Sequence, residues 1–183
     1  YTNAKVKTMF GGANFVMYII GQALGIVAVI LGFFSYQMKT AQKLLIFEII
    51  VAIVFSAHYF FIGATTAMAL NLLSVVQCVF YYIREKRKSK NLVVPIIFTA
   101  LIVVSSILTW EGWYSAFVMA GLVVYSLAIA LPSTQRIRYA MFIKSPLCLT
   151  YNAIVFSIGG IVYECSVLLS SIIGVIRHKK KSD

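Results

Sequence analysis

His58-Tyr59-Phe60-Phe61-Ile62-Gly63-Ala64-Thr65-Thr66-Ala67-Met68-Ala69-Leu70-Asn71-Leu72-Leu73-Ser74 decides the fold. Two apolar segments meet here across a turn that carries no charge. The connection, Gly63 to Thr66, is so short that the segments must lie antiparallel and adjacent as a helical hairpin. The pattern returns in the second half of the chain. Ile62-Gly63 recurs as Ile158-Gly159, and Leu72-Leu73-Ser74 as Leu168-Leu169-Ser170, both at an offset of 96.

Around this hairpin the composition is that of a membrane. Of 183 residues, 61% are hydrophobic and 11% are charged, with a mean hydropathy of +0.93. A soluble domain keeps about 25% charged residues. Here the charges fall in short clusters separated by apolar runs of roughly 18–22 residues, the length of helix that crosses a hydrocarbon layer of about 30 Å. The fold class is therefore all-α and polytopic; the alternating strands of about ten residues that build a membrane β-barrel are missing. The net charge of +11 lies between spans, so nucleic acid is not an expected partner. Cys78, Cys148 and Cys165 all lie in apolar runs, an odd number of buried thiols with no Cys-x-x-Cys or Cys/His cluster. No disulfide framework, metal or cofactor is expected, and no cleavable signal peptide is read before the first span.

Seven spans are expected, at about 15–36, 44–62, 64–83, 92–109, 113–131, 139–156 and 161–176. Gly21, Gly25, Ala28 and Gly32 put one small-residue stripe on span one, a surface for close packing in the bundle or for a second copy of the chain. Trp110-Glu111-Gly112-Trp113 reads as a compact turn with indoles at the interface. Lys144 is expected to snorkel to the near surface, Pro146 to kink span six, and Gly159-Gly160 to turn the chain into span seven. With the N-terminus outside, 14 of the 16 basic residues fall on one side, leaving Lys5 and Lys7 opposite. The positive-inside rule then places the C-terminus in the cytoplasm.

Spans one to three and five to seven form two triplets around span four, parallel repeats related by an axis along the membrane normal. Ser35-x-Gln37 closes the first helix of one triplet and Ser133-x-Gln135 that of the other. The organisation is residues 15–84 as the first triple-helix repeat, 92–109 as a linker span, 113–177 as the second repeat and 178–183 as a basic tail. This 3+1+3 plan resembles the PQ-loop and SWEET-type transporters. More closely, His58 to Gly63, and Ser157-Ile158-Gly159-Gly160 followed by Glu164, Ser166 and Leu168-Leu169, resemble the YgjV-type bacterial inner-membrane family over roughly residues 18–178. The resemblance implies an inner (plasma) membrane location. The SWEET-type resemblance implies small solutes, typically sugars, passing between two rocking triplets. It also matches Asn71 to a substrate-binding position whose aligned partner in the second triplet is Val167, with Ser166, Ser170 and Ser171 nearby. The proline-glutamine pairs depart from that pattern: Tyr36 precedes Gln37, and Pro132 stands three residues before Gln135.

Ionisable groups inside a span are functional candidates by default. Glu48 is read as an interfacial partner of Lys43, and Glu164 as either an exposed rim or a cavity carboxylate. His58 is either a hydrogen-bonded strut or a proton-coupling group, with Tyr59 beside it as a gate; coupling implies a pH dependence that His58→Gln removes. Asn71, Ser74, Ser166, Ser170 and Ser171 are the candidate substrate-binding groups, and Gln37, Pro132, Gln135 and Pro146 the candidate hinges. No nucleophile–base pair, metal cluster or phosphate loop points to an enzyme. The expected function is transport or facilitated passage of a small polar solute by alternating access. The alternative is a receptor or assembly partner that uses the small-residue face of span one. Expected partners are the lipid bilayer, the solute and, in the alternative, a second copy.

Overall fold

The computed structural model describes residues 12–88, 93–130 and 134–179. Within them the chain is seven helices: α1 (Gly12–Ser35), α2 (Ala41–Ile62), α3 (Thr65–Lys86), α4 (Val93–Leu108), α5 (Ser115–Ile129), α6 (Thr134–Ile154) and α7 (Ile158–Lys179). Long apolar sequence takes this form because a helix satisfies every backbone group within its own segment. Four helices, α1, α2, α3 and α7, are long and apolar enough to cross a membrane. The α4 and α5 helices are shorter, at 16 and 15 residues. The α6 helix starts five residues before the expected span, because Arg136 and Arg138 are already helical. It runs through Pro146 as one element, although that ring removes one N–H from the helical ladder.

The hairpin turn forms as its sequence requires. Gly63 ends α2 in the left-handed region at φ 73°, and the Ala64 N–H returns to the Tyr59 carbonyl at 2.9 Å. The second turn differs from expectation. Phe156, at φ 54°, ends α6, and the Ser157 N–H reaches the Asn152 carbonyl at 2.9 Å. Gly159 and Gly160 lie inside α7, where they make room rather than a turn. A Cβ on Gly159 would stand 2.6 Å from the Gly25 Cα, so α1 and α7 cross backbone to backbone.

Each helix packs on its chain neighbour, α1 also packs on α7, and α3 meets α5 beside α4, which closes a ring. Hydrogen bonds between elements sort the helix ends into two groups. At the far end, Tyr18 and Gln22 reach Phe156, His58 reaches Gly21 and Ser157, and Thr65 reaches Glu111. At the other end, Gln37 reaches Ser170, Arg84 reaches Ala130 and Gln135 reaches Val175. Lys39, Lys43, Arg84, Lys86, Arg87, Lys88, Arg136, Arg138 and Arg177 all belong to this basic end. The surface between the two ends is apolar, with Ile30, Phe34, Ile96, Ile107, Ile143 and Leu169 exposed.

The small-residue stripe faces inward. Gly21 lies against Phe61 and Ile62, Gly25 against Gly159 and His58, and Gly32 against Tyr163, while Ala28 is fully buried. The surface on which the receptor or partner alternative relied is therefore consumed by α2 and α7.

Burial in the two halves runs in parallel, at an offset of 93 rather than 96. Adding 93 to each buried residue of α3 lands on a buried residue of α7, and the same shift carries the buried positions of α2 onto buried positions of α6 and Val155 just after it, except at Ser56. It carries Gln22, Gly25, Ala28, Gly32, Ser35 and Tyr36 onto Ser115, Val118, Gly121, Tyr125, Ala128 and Ile129, all buried. The positive-φ residues that follow α2 and α6, Gly63 and Phe156, also correspond. The Ile-Gly and Leu-Leu-Ser matches thus lie three residues, most of a turn, out of the register that packing follows.

Candidate functional site

The inner faces of α2, α6 and α7 carry the charge. On α2, Glu48 repeats with Val51, Ala52, Phe55 and Tyr59 at helical spacing, all buried. On α6, Met141, Lys144, Cys148 and Asn152 share one buried stripe, and on α7 Tyr163 and Glu164 follow Gly160. These faces converge with Asn71 and Ser74 of α3 and Tyr125 of α5 on a cavity of about 60 Å³. That is room for a few waters, and too little for a sugar ring.

Lys144 Nζ donates to Glu164 Oε1 at 2.5 Å, and both side chains are nearly out of solvent. Glu48 Oε1 accepts the Ser35 hydroxyl at 2.6 Å and Oε2 the Tyr125 hydroxyl at 3.1 Å. The second oxygen of Glu164 has no hydrogen-bond partner among the described residues. Lys144 also lies 5.3 Å from the Tyr163 ring centre. These contacts correct two sequence readings. Lys144 does not snorkel, since Glu164 compensates its charge inside the bundle, and Glu48 pairs with two hydroxyls while Lys43 stays exposed.

Above and below the cavity, hydrogen bonds fasten the two seams of the ring. Between α1 and α7, Gln22 accepts from the Gly159 N–H at 3.0 Å at the far end. At the basic end, Gln37 donates to Ser170 Oγ at 2.7 Å, and that hydroxyl reaches the Phe33 carbonyl at 3.3 Å. Between α3 and α5, Thr66 meets Ser115 at 3.4 Å at the far end, and Gln77 donates to Ser126 at 2.5 Å at the basic end. The 93-residue shift maps Gln22–Gly159 onto Ser115–Thr66 and Phe33–Ser170 onto Ser126–Gln77.

The residues singled out from sequence divide among these parts. Asn71, Ser74, Tyr59 and Glu164 line the cavity. Tyr59 donates to Asn152 Oδ1 at 2.7 Å, while Ser74 and Asn71 also bond carbonyls of their own helix, Leu70 and Ala67. Ser170 and Gln37 form the basic-end fastening of α1 to α7. Ser171 is buried beside it with no partner for its hydroxyl among the described residues. Ser166 is half-buried, bonds its own helix at Val162 and does not line the cavity. Gln135 accepts from Arg138 and donates to the Val175 carbonyl. Pro146 is exposed, and Pro132 lies outside the described residues.

His58 is fully buried between α1 and α7, with Nδ1 2.6 Å from the Gly21 carbonyl and Nε2 2.7 Å from Ser157 Oγ. The Gly21 carbonyl can only accept, so in the neutral ring Nδ1 carries the hydrogen and Nε2 accepts the Ser157 hydroxyl. A neutral ring satisfies both contacts.

Sequence reasoning missed that Glu48, Lys144 and Glu164 share one site, and it missed Tyr36, Tyr125, Tyr163 and Asn152 around them. The available signal was the presence of three charges well inside spans whose other charges sit at the ends. In the register that burial follows, Asn71 falls opposite Glu164, whereas the offset of 96 pairs it with Val167.

Comparison with known proteins adds one match. No curated protein and no solved structure matches the chain. The family model described as bacterial inner membrane protein Imp-YgjV matches residues 19–182, nearly the whole chain. With that match over nearly its whole length, and apolar helices long enough to span a bilayer, the chain belongs to the Imp-YgjV family of bacterial inner membrane proteins.

Proposed function

We propose that this protein moves a small polar solute across the inner membrane by alternating access, with the Glu48–Lys144–Glu164 cavity as its binding site. The observation that carries this reading is an ion pair whose second carboxylate oxygen has no partner among the described residues, in a cavity shared by five helices. A bundle that needed only stability would fill this place with apolar side chains, since a buried ion pair is weak support for a fold. In this reading α1–α3 and α5–α7 are parallel triplets joined by α4, and the equivalence of buried positions supports that division. Releasing Gln37–Ser170 and Gln77–Ser126 opens the basic end, and releasing Gln22–Gly159 and Thr66–Ser115 opens the far end. In this reading the basic end faces the cytoplasm and the N-terminus lies outside, an orientation that the charge distribution supports.

The test is solute uptake into liposomes containing the purified protein, screened across amines, amino acids, nucleosides, organic acids and sugars. Uptake of one class above empty liposomes, lost in Glu164→Gln, is the expected result. Uptake that is unchanged in Glu164→Gln removes this cavity from the pathway.

A further inference from the structure

We propose that the cavity binds a small primary ammonium ion, a chemistry that the transport reading leaves open and on which its role here rests. The charges make the first argument. With all three groups ionised, Glu48 and Glu164 bring two carboxylates and Lys144 one ammonium, one negative charge more than the cluster neutralises. An uncompensated charge away from water is expensive, and one added cation removes the imbalance. The hydrogen bonds locate that cation. Both oxygens of Glu48 are taken by Ser35 and Tyr125, and Glu164 Oε1 is taken by Lys144. Glu164 Oε2 is buried and unpartnered among the described residues, so it is the acceptor left for a ligand N–H. Asn71, at the equivalent position of the other half, uses its amide N–H2 on the Ala67 carbonyl and has its own carbonyl oxygen to offer.

The walls suit the same guest. Phe55 meets Tyr163 edge-on with ring centres 4.6 Å apart and stacks on Tyr59 at 5.6 Å, and all three rings line the cavity. The Lys144 ammonium already rests 5.3 Å from the Tyr163 ring, so this wall accommodates a cation on its π face. A volume of about 60 Å³ restricts the guest to a few heavy atoms. The open acceptors select a head group with N–H donors over a quaternary one.

The experiment measures thermal stability and calorimetric binding of the full chain in lipid nanodiscs at constant ionic strength. Methylammonium, tetramethylammonium, glycine and glucose are the probes, with sodium chloride as the control. Methylammonium is expected to bind saturably and raise Tm, tetramethylammonium at least tenfold more weakly, and Glu164→Gln to abolish the response. Asn71→Asp, which adds a carboxylate at the equivalent position, is expected to tighten methylammonium binding tenfold or more, and it keeps the test decisive should Glu164→Gln fail to fold. Saturable binding of glycine or glucose without methylammonium overturns the proposal. So does a response to pH alone, which would make a proton the missing charge. Methylammonium that binds but does not enter liposomes leaves this site standing and refutes transport; uptake of another solute without amine binding does the reverse.

Discussion

Lys144→Met tests the centre of the molecule most directly. The substitution keeps the side chain's length and its contact with Tyr163 but removes the charge that compensates Glu164 at 2.5 Å. Both side chains are more than nine-tenths buried, so solvent offers little screening. Breaking a buried pair from one side costs about 3–5 kcal/mol. Here the loss falls at the upper end, because Glu48 and Glu164 then face one cavity as two carboxylates without a cation. Glu164→Gln instead removes the carboxylate bonded to the ammonium at 2.5 Å, leaving only Glu48 across the cavity, and is expected to cost about 3 kcal/mol. The double variant removes both charges and leaves Glu48 on its two hydroxyls, so it should lie within about 1.5 kcal/mol of the parent, a coupling of several kcal/mol. The assay is reversible unfolding of the four proteins in mixed micelles, followed by helical circular dichroism. Additive losses, with a coupling below about 0.5 kcal/mol, would show that the two groups do not compensate each other and would refute the charge argument.

Four further outcomes are expected. Gly159→Ala places a methyl group against the Gly25 backbone, which cannot yield as a side chain would, and should lower stability by about 1–3 kcal/mol or more in the same unfolding assay. Glu111→Ala removes the carboxylate that accepts the Thr65 N–H at 2.6 Å at the start of α3, a helix with no capping side chain of its own, and should cost about 0.5–2 kcal/mol. His58→Gln should lower stability by about 1–3 kcal/mol while leaving the pH profile of uptake unchanged, since a neutral ring meets both contacts; a pH dependence lost in the variant would assign proton coupling to His58. Gln37→Ala with Gln77→Ala should speed labelling of Cys148, which lines the cavity, by an impermeant maleimide applied from the basic end. Labelling as slow as in the parent would refute the role of those fastenings.

The helices and their hairpin were legible in the sequence because they depend on local quantities. Apolar runs of spanning length have no alternative to helix in lipid, and Gly63 can adopt the left-handed turn without penalty. The Phe156 turn was not legible, because a bulky, exposed residue is held at positive φ by distant hydrogen bonds, from Tyr18 and Gln22 to its carbonyl, rather than by its own preference. Of Gly159-Gly160, the natural turn by composition, Gly159 instead makes the crossing with α1 and Gly160 makes room for Asn152 and Ser157.

The site follows the same division. That Glu48, His58, Lys144 and Glu164 are unusual was evident from charge within apolar runs. That His58 belongs to a helix crossing while the other three share one cavity was not, because their elements lie far apart in the chain and meet only when the ring closes through α1 and α7. The internal correspondence shows the limit most clearly. Identical residues matched at 96, but lipid and core distinguish covered positions from exposed ones, and covered positions repeat at 93 with little shared identity. The sequence by itself determined a helical membrane protein, its hairpin and the inventory of buried charge, since hydropathy and length act locally. Only the tertiary structure decided which charges neutralise one another and which carboxylate oxygen stays open, because those depend on a few ångströms between helices that no spacing along the chain specifies.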